Sequence, residues 1–322
     1  MTPIILDTDM GSDVDDALCL ALALAAPELS LLGVTHVTRD THARARISRR
    51  LLDLAGRPDV PVFAGATTPR AGIPEHFVWF GNEGDGIVDP DTADSLAVSP
   101  KPAVGAMAQI LRAHTDVELV AVGPMTNVAA LFEMNPVLVS RLRRLTIMGG
   151  HVRTARTGGQ TFSPGIDYNL CSDPAASLVV LRTNVPIRLV PIEITLQVWL
   201  KIADVVRLEA TGHPLHTALA RAVRRWMPMM HGGFFANGAK LDADNAAFLH
   251  DPLALACVYD ESFCRFEALH VEGTIVDGVF RTLERSGPSS ATRAMQVATA
   301  VDAARFHDHV VTRLLSLDGA GR

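Results

Sequence analysis

The chain has 322 residues, 48% of them hydrophobic, and its 29 basic and 35 acidic side chains leave a net charge of −6. That length and apolarity suffice for one large α/β domain or two average ones, and the mild charge excludes a nucleic-acid or membrane surface as the main partner. No apolar run reaches the ~18 residues of a membrane-spanning helix, and no basic segment followed by an apolar stretch and a cleavage site opens the chain, so a cytoplasmic protein is expected.

In chain order, the β-branched and apolar runs PIILDTD (3–9), LSLLGVTHV (29–37), VPVFAG (60–65), VELVAVGP (117–124), RLTIMGG (144–150) and VPIRLVPIE (185–193) read as strands. Between them, residues 15–26, 41–55, 102–114, 127–139 and 174–183 carry apolar residues at helical spacing. Within the second helix, RARISRR (44–50) reads as a solvated face. Residues 69–100 and 150–169 are long polar, Gly- and Pro-rich loops of the kind that cover a site. Residues 211–250 predict a helix, then a loop leading into another helix. Cys19, Cys171, Cys257 and Cys264 lack paired short spacings and are expected to be buried thiols.

Strand and helix alternating in this way predict an α/β fold, a mostly parallel open sheet with helices on both faces, because parallel strands need crossover connections. No repeat or linker divides the chain, so one domain spanning 1–322 is expected. Such sheets bind ligands at the carboxyl ends of their strands, where the first strand runs into Asp7, Asp9, Asp13, Asp15 and Asp16, five aspartates within ten residues. One or two could cap the following helix, and Asp13 is placed to do so. Five exceed what a cap uses and point to a hard cation, Ca²⁺ or Mg²⁺. An EF-hand loop does not fit, since its sixth position is Ser12 instead of Gly and its twelfth is Leu18 instead of Glu. An aspartyl-phosphate phosphatase of the haloacid dehalogenase type fits less well, because Gly11 stands where Thr or Val continues that motif.

DTDMGSDVDDALCL resembles the N-terminal signature of the inosine-uridine preferring nucleoside hydrolases, with Met10 in place of proline and two extra residues before the Asp-Asp pair. VGPMTNVA followed by LFEMNP, TIMGG, DYNLCSDPAA and LHDPLALA resemble further motifs of that family and stand in its order up to about residue 258. The resemblance implies the family's fold and hydrolysis of the N-glycosidic bond of ribonucleosides, with an oxocarbenium-like transition state, an activated water and help for the leaving base. It implies one Ca²⁺ held by Asp9, Asp16, the carbonyl of Val122 and Asp251, with Asp15 as the base acting on its water and Asp7 supporting the loop. It also implies sugar contacts from Asp40, Met148, Asp167 and Asn169, and His250 as the group that protonates the base. Trp226 and His231 are candidates for the base pocket, with a core or lid role equally open to them.

Two positions depart from the family pattern: Asp40 stands where Asn is usual, and Asp167 stands where Glu is usual. These departures keep open an N-glycosidase of a modified nucleoside or another riboside. A non-catalytic Ca²⁺-dependent ribose-binding protein is a further alternative. The expected partners are a small-molecule nucleoside and further copies of the chain in a homodimer or homotetramer, with no nucleic acid and no membrane.

Overall fold

Ile4, Ile5 and Leu6 are completely buried, and such an unbroken apolar run belongs to an interior parallel strand covered on both faces. In the computed structural model, which describes residues 1–11, 13–70, 83–165, 167–277 and 279–317, that run lies in β1 (Thr2–Thr8). The other strands are β2 (Leu29–His36), β3 (Val62–Ala64), β4 (Val117–Ala121), β5 (Leu142–Met148), β6 (Ala155–Thr157) and β7 (Gln160–Phe162). They continue with β8 (Ile187–Val190), β9 (Trp199–Lys201), β10 (Asn245–Phe248), β11 (Cys264–Val276), β12 (Val279–Arg285) and β13 (Thr292–Val301). The helices are α1 (Asp15–Ala25), α2 (Thr41–Leu54), α3 (Ala103–Ala113), α4 (Thr126–Met134), α5 (Pro136–Val139) and α6 (Tyr168–Ser172). They continue with α7 (Pro174–Leu181), α8 (Ile192–Thr195), α9 (Ile202–Ala210), α10 (Pro214–Ala236), α11 (His250–Tyr259) and α12 (Ala303–Leu315).

Among the described residues, nine strands form one sheet in the order β12-β11-β13-β8-β5-β4-β1-β2-β3. Every pairing from β13 through to β3 is parallel, and β11 is antiparallel to both β13 and β12. The expected α/β sheet is therefore present, with an antiparallel flank that the strand–helix alternation does not predict. Between β11 and β12, Asp277 has φ 51°, the left-handed backbone that tight hairpin turns use. α1, α2, α10, α11 and α12 pack into one apolar layer, and α3, α4 and α7 into the other. β1 pairs with β2 on one side and with β4 on the other, so the strand order reverses there. A crevice opens at such a reversal, at the carboxyl ends of the strands.

Some local readings change. The helix expected over 127–139 is two helices, because Pro136 has no N–H to continue α4 and instead starts α5. The strand expected over 185–193 ends at Val190, and its tail becomes α8. The loop expected over 150–169 holds the β6–β7 hairpin. Part of the loop expected over 69–100, residues 71–82, lies outside the described residues. The solvated face expected over 44–50 is partly wrong: Arg44 and Arg49 are buried, and Arg49 donates to the carbonyl of Val60 at 2.9 Å. The four cysteines are buried and unpaired as expected. Among the described residues, no helix is long and apolar enough to cross a membrane.

The sheet also encloses an ion pair. Arg188 Nη1 donates to Glu118 Oε1 at 2.6 Å and to Thr146 Oγ1 at 3.0 Å, and Nη2 donates to Glu261. Glu118 and Arg188 are 1% and 2% exposed. Removing one partner of a buried pair costs about 3–5 kcal/mol, since the other charge stays buried. Glu118→Ala is therefore expected to lower unfolding stability by about 3 kcal/mol, read as a shifted urea midpoint. A shift equivalent to less than about 1 kcal/mol would mean that Glu261 alone satisfies the guanidinium.

Candidate active site

At the reversal point lies a cavity of about 250 Å³, lined by Asp9, Asp13, Asp15, Asp16, Val122, Met148, Asp167, Tyr168, Asn169, Ile192, Trp226, His250 and Asp251. Two helix N-termini converge on it. Asp15 and Asp16 open α1, and Asp251 stands in the first turn of α11. The partial positive charge of a helix start favours carboxylates at these positions. All three are buried, and their carboxylate oxygens lie within 4.8 Å of one another, an arrangement that could hold a metal ion. Asp15 Oδ2 accepts from the backbone N–H of Asp251 at 3.3 Å, Asp15 Oδ1 accepts from the N–H of Asp16 at 3.1 Å, and Asp16 accepts from Thr8 Oγ1.

Asp9 follows β1 in the same cavity but falls outside that closest trio. Its loop turns at Gly11, whose φ of 130° is left-handed backbone that L side chains rarely adopt. A second glycine makes room for it: a Cβ at Gly123 would stand 2.8 Å from Asp9 N and 2.9 Å from Asp9 Oδ1. Arg44, 1% exposed, reaches from α2 and donates to the carbonyls of Asp9, Met10 (2.8 Å) and Thr38 (2.9 Å). Asp7 lies behind the cavity, fully buried, and its Oδ1 accepts from Thr35 Oγ1 at 2.6 Å and Asn127 Nδ2 at 2.9 Å. Its carbonyl accepts from the N–H of Val122 at 2.8 Å, which fixes the ends of β1 and β4 together. Asp13 accepts from the N–H of Val14 at 2.6 Å and lines the cavity, but it does not cap α1 as expected, since the N-cap position is Val14 and no side chain caps it.

The electrostatics follow from burial. Desolvation, then repulsion from neighbouring carboxylates, holds Asp15, Asp16 and Asp251 well above the usual carboxylate range. Burial first raises Asp9 to about 6, with Arg44 opposing, and raises Asp13 and Asp7 to about 7. On the opposite wall, burial raises Asp167 to about 6. Asp167 Oδ1 accepts from the N–H of Leu170 at 2.8 Å, while Oδ2 is buried without a hydrogen-bond partner among the described residues. Asn169 Nδ2 donates to the carbonyls of Val122 at 2.7 Å and Met148 at 3.0 Å. His250 lies 2.7 Å by Nδ1 from Thr195 Oγ1 and stacks on Phe248 with ring centroids 5.1 Å apart. Burial lowers its pKa to about 4, so the imidazole is neutral at pH 7.

Two candidates are not brought to the cavity. Asp40 is exposed at the N-cap of α2 and accepts from the N–H of Ala43 at 2.9 Å, so its carboxylate is accounted for locally. His231 contacts the carbonyl of Asn245 through Nε2 at 2.7 Å and lines a separate groove with Phe235 and Lys240. Trp226, 6% exposed, does line the cavity. Sequence reasoning missed Arg44, Thr195 and Ile192, and no motif marks them.

A carboxylate-lined cavity at the strand-order reversal of a parallel sheet, with amide and imidazole groups in the same lining, suits the binding of a polar ligand. Residues 4–308 match the family model "Inosine-uridine preferring nucleoside hydrolase", and the chain belongs to that family. It is 32% identical over 259 residues to the pyrimidine-specific ribonucleoside hydrolase RihA of Klebsiella pneumoniae subsp. pneumoniae, covering 79% of this chain and 78% of that protein. Its fold superposes with a TM-score of 0.81 on a purine-preferring ribonucleoside hydrolase from Gardnerella vaginalis, at 23% identity over 98% of this chain and 99% of that one. The corresponding values for the plant nucleoside hydrolase PpNRh1 are 0.80, 24%, 98% and 99%. The chain is a hydrolase acting on N-glycosyl compounds, with ribonucleosides as its substrate class.

The buried carboxylates set a sign for stability against pH once divalent cations are chelated. Asp9, Asp13 and Asp7 bind protons more tightly folded than unfolded, where their pKa is ~3.9. The stability this contributes is present below that value and is lost as pH rises through about 6 to 7. The Tm of the chelated protein is therefore expected to fall between pH 5 and pH 8. Added divalent cation should raise Tm by an increment that grows with pH. Scanning calorimetry at several pH values decides it, and an increment independent of pH would contradict this account.

Proposed function

We propose that the protein hydrolyses the N-glycosidic bond of ribonucleosides in a Ca²⁺-dependent reaction, giving free base and ribose. The observation that carries this reading is the convergence of Asp15, Asp16 and Asp251 at two helix N-termini, in one cavity with Asp167 and Asn169. The donor set is all oxygen, buried and rich in carboxylate, which suits a hard divalent cation. Asp9, Asp16, Asp251 and the Val122 carbonyl would hold Ca²⁺. When bound, the ion supplies the missing counter-charge and makes water more acidic.

Asp15 is the base that accepts the proton of the attacking water. The N–H groups of Asp16 and Asp251 orient its carboxylate. The partnerless Oδ2 of Asp167 is an acceptor suited to a ribose hydroxyl, and Asn169, with its amide N–H₂ committed to two carbonyls, offers its Oδ1. His250 is neutral, and when Thr195 donates to Nδ1 the ring proton sits on Nε2, from which it can pass to the departing base. Trp226 and Ile192 supply apolar walls that exclude water from the bond being broken. The pyrimidine-specific name of the RihA relatives makes uridine and cytidine the first substrates to try, with inosine as the purine comparison.

Release of base and reducing sugar from uridine should require Ca²⁺, and Asp15→Asn should lower kcat by about 100-fold or more. Release that persists undiminished with a chelator and in Asp15→Asn would overturn the mechanism. His250→Ala should slow uridine hydrolysis strongly and 4-nitrophenyl riboside hydrolysis weakly, because nitrophenolate leaves without a proton. Equal losses on both substrates would remove His250 as the proton donor.

A further inference from the structure

A second cavity, of about 550 Å³, adjoins the first. Ile192 forms part of both walls, and the chain passes from one to the other within two residues, Gly165 lining the second and Asp167 the first. The two lobes differ in charge. Six carboxylates line the first, those of Asp9, Asp13, Asp15, Asp16, Asp167 and Asp251, whereas the lining of the second includes none and includes Arg281.

Arg281 Nη1 is buried and has no hydrogen-bond partner among the described residues. Nearby arginines are engaged: Arg153 pairs with Glu284 and Glu267, and Arg285 pairs with Glu272. A guanidinium N–H donor buried without a partner is costly, and a guanidinium recovers that cost best against a carboxylate or phosphate, which it can meet with two parallel N–H donors. Gly165 flanks it: a Cβ there would stand 3.9 Å from Nη1, in ordinary van der Waals contact, so a branched side chain at this position would extend into the space beside the guanidinium. Phe162, Leu196 and Phe234 supply apolar wall around it, which strengthens a charge pair by excluding water.

We propose that the second lobe is a subsite for an anionic group, phosphate or carboxylate, carried by the riboside substrate and bound by Arg281. The proposal rests on the ribosidase reading of the first lobe and specifies its substrate class. The charges orient such a substrate: the carboxylate-lined lobe repels its anionic end and takes the neutral sugar, and Arg281 takes the anion. Two positions on a riboside can carry that group, the 5′-carbon and the base.

Calorimetric titration of the Ca²⁺-loaded protein with ribose, ribose 5-phosphate, uracil and orotate separates them. One charged ligand is expected to bind about tenfold or more tightly than its neutral counterpart. Preference for ribose 5-phosphate over ribose assigns the anion to the 5′ side, and preference for orotate over uracil assigns it to the base. Arg281→Gln should reduce the preference to about twofold or less. Gly165→Val leaves the charge in place but fills the flank of the guanidinium, and should produce a similar loss; it decides the matter alone if Arg281→Gln does not fold. No preference for either anion, or a preference that survives both variants, would overturn the subsite. Binding is read without turnover, so an anion preference in a protein that hydrolyses neither uridine nor the riboside carrying the preferred anion, uridine 5′-monophosphate or orotidine, would sink the hydrolase reading alone, and uridine hydrolysis without anion preference would sink the subsite alone.

Discussion

Asp15, Asp16 and Asp251 place three carboxylates within 4.8 Å of one another and almost entirely out of water, so each charge raises the cost of the next. The chain answers part of that cost with oriented dipoles: the first turns of α1 and α11, the N–H groups of Asp16 and Asp251, and the hydroxyl of Thr8. These dipoles do not cancel the cost of burial and the repulsion added to it, which is why the three groups remain biased toward protonation. A full positive charge would, but Arg44 is committed elsewhere: it donates to the carbonyls of Asp9, Met10 and Thr38 and pairs with Glu83 at 3.4 Å. An oxygen-binding cation is the group whose charge and donor preference match what the site lacks.

The same constraint explains the parts of the fold that never touch the cavity. Carboxylates this close stay together only if the segments carrying them cannot drift apart. Asp7 ties β1 to β2 through Thr35 and to α4 through Asn127, and the N–H of Val122 on the Asp7 carbonyl locks β4 beside β1. Gly123 lets Asp9 pack directly against the turn after β4. The reversal of strand order at β1 places these two turns side by side, so the topology itself brings Asp9 and Val122 to one rim.

What the sequence made legible was the part carried by local pattern. Continuous apolar runs marked β1, β4 and β5, and the density of aspartates after β1 marked a charge problem that a cap could not explain. Arg44 was illegible because helical spacing does not say which arginine of a mixed face will point inward, and its partners Asp9 and Met10 lie more than thirty residues away. Thr195 and Ile192 sit in a four-residue helix with no motif, yet one contacts His250 and the other joins two cavities. Motif proximity misled in the other direction for His231, which α10 aims at the carbonyl of Asn245.

The two departures from the family pattern have different physical meanings. At Asp40 the carboxylate is exposed and caps α2, a task that Asp and Asn perform about equally, so this change carries no message about substrate. Asp167 is buried in the cavity wall, caps α6 with one oxygen and leaves the other without a partner among the described residues. A glutamate would carry its carboxylate one methylene farther from the backbone; the shorter side chain keeps that negative charge close to α6. Gly165 lies in the lobe of Arg281, so residues 163–165 and 167–169 line opposite sides of the boundary between a region that repels anions and one that attracts them. Discrimination at such a boundary depends on the sign of the charge a substrate carries as well as on the size of its base.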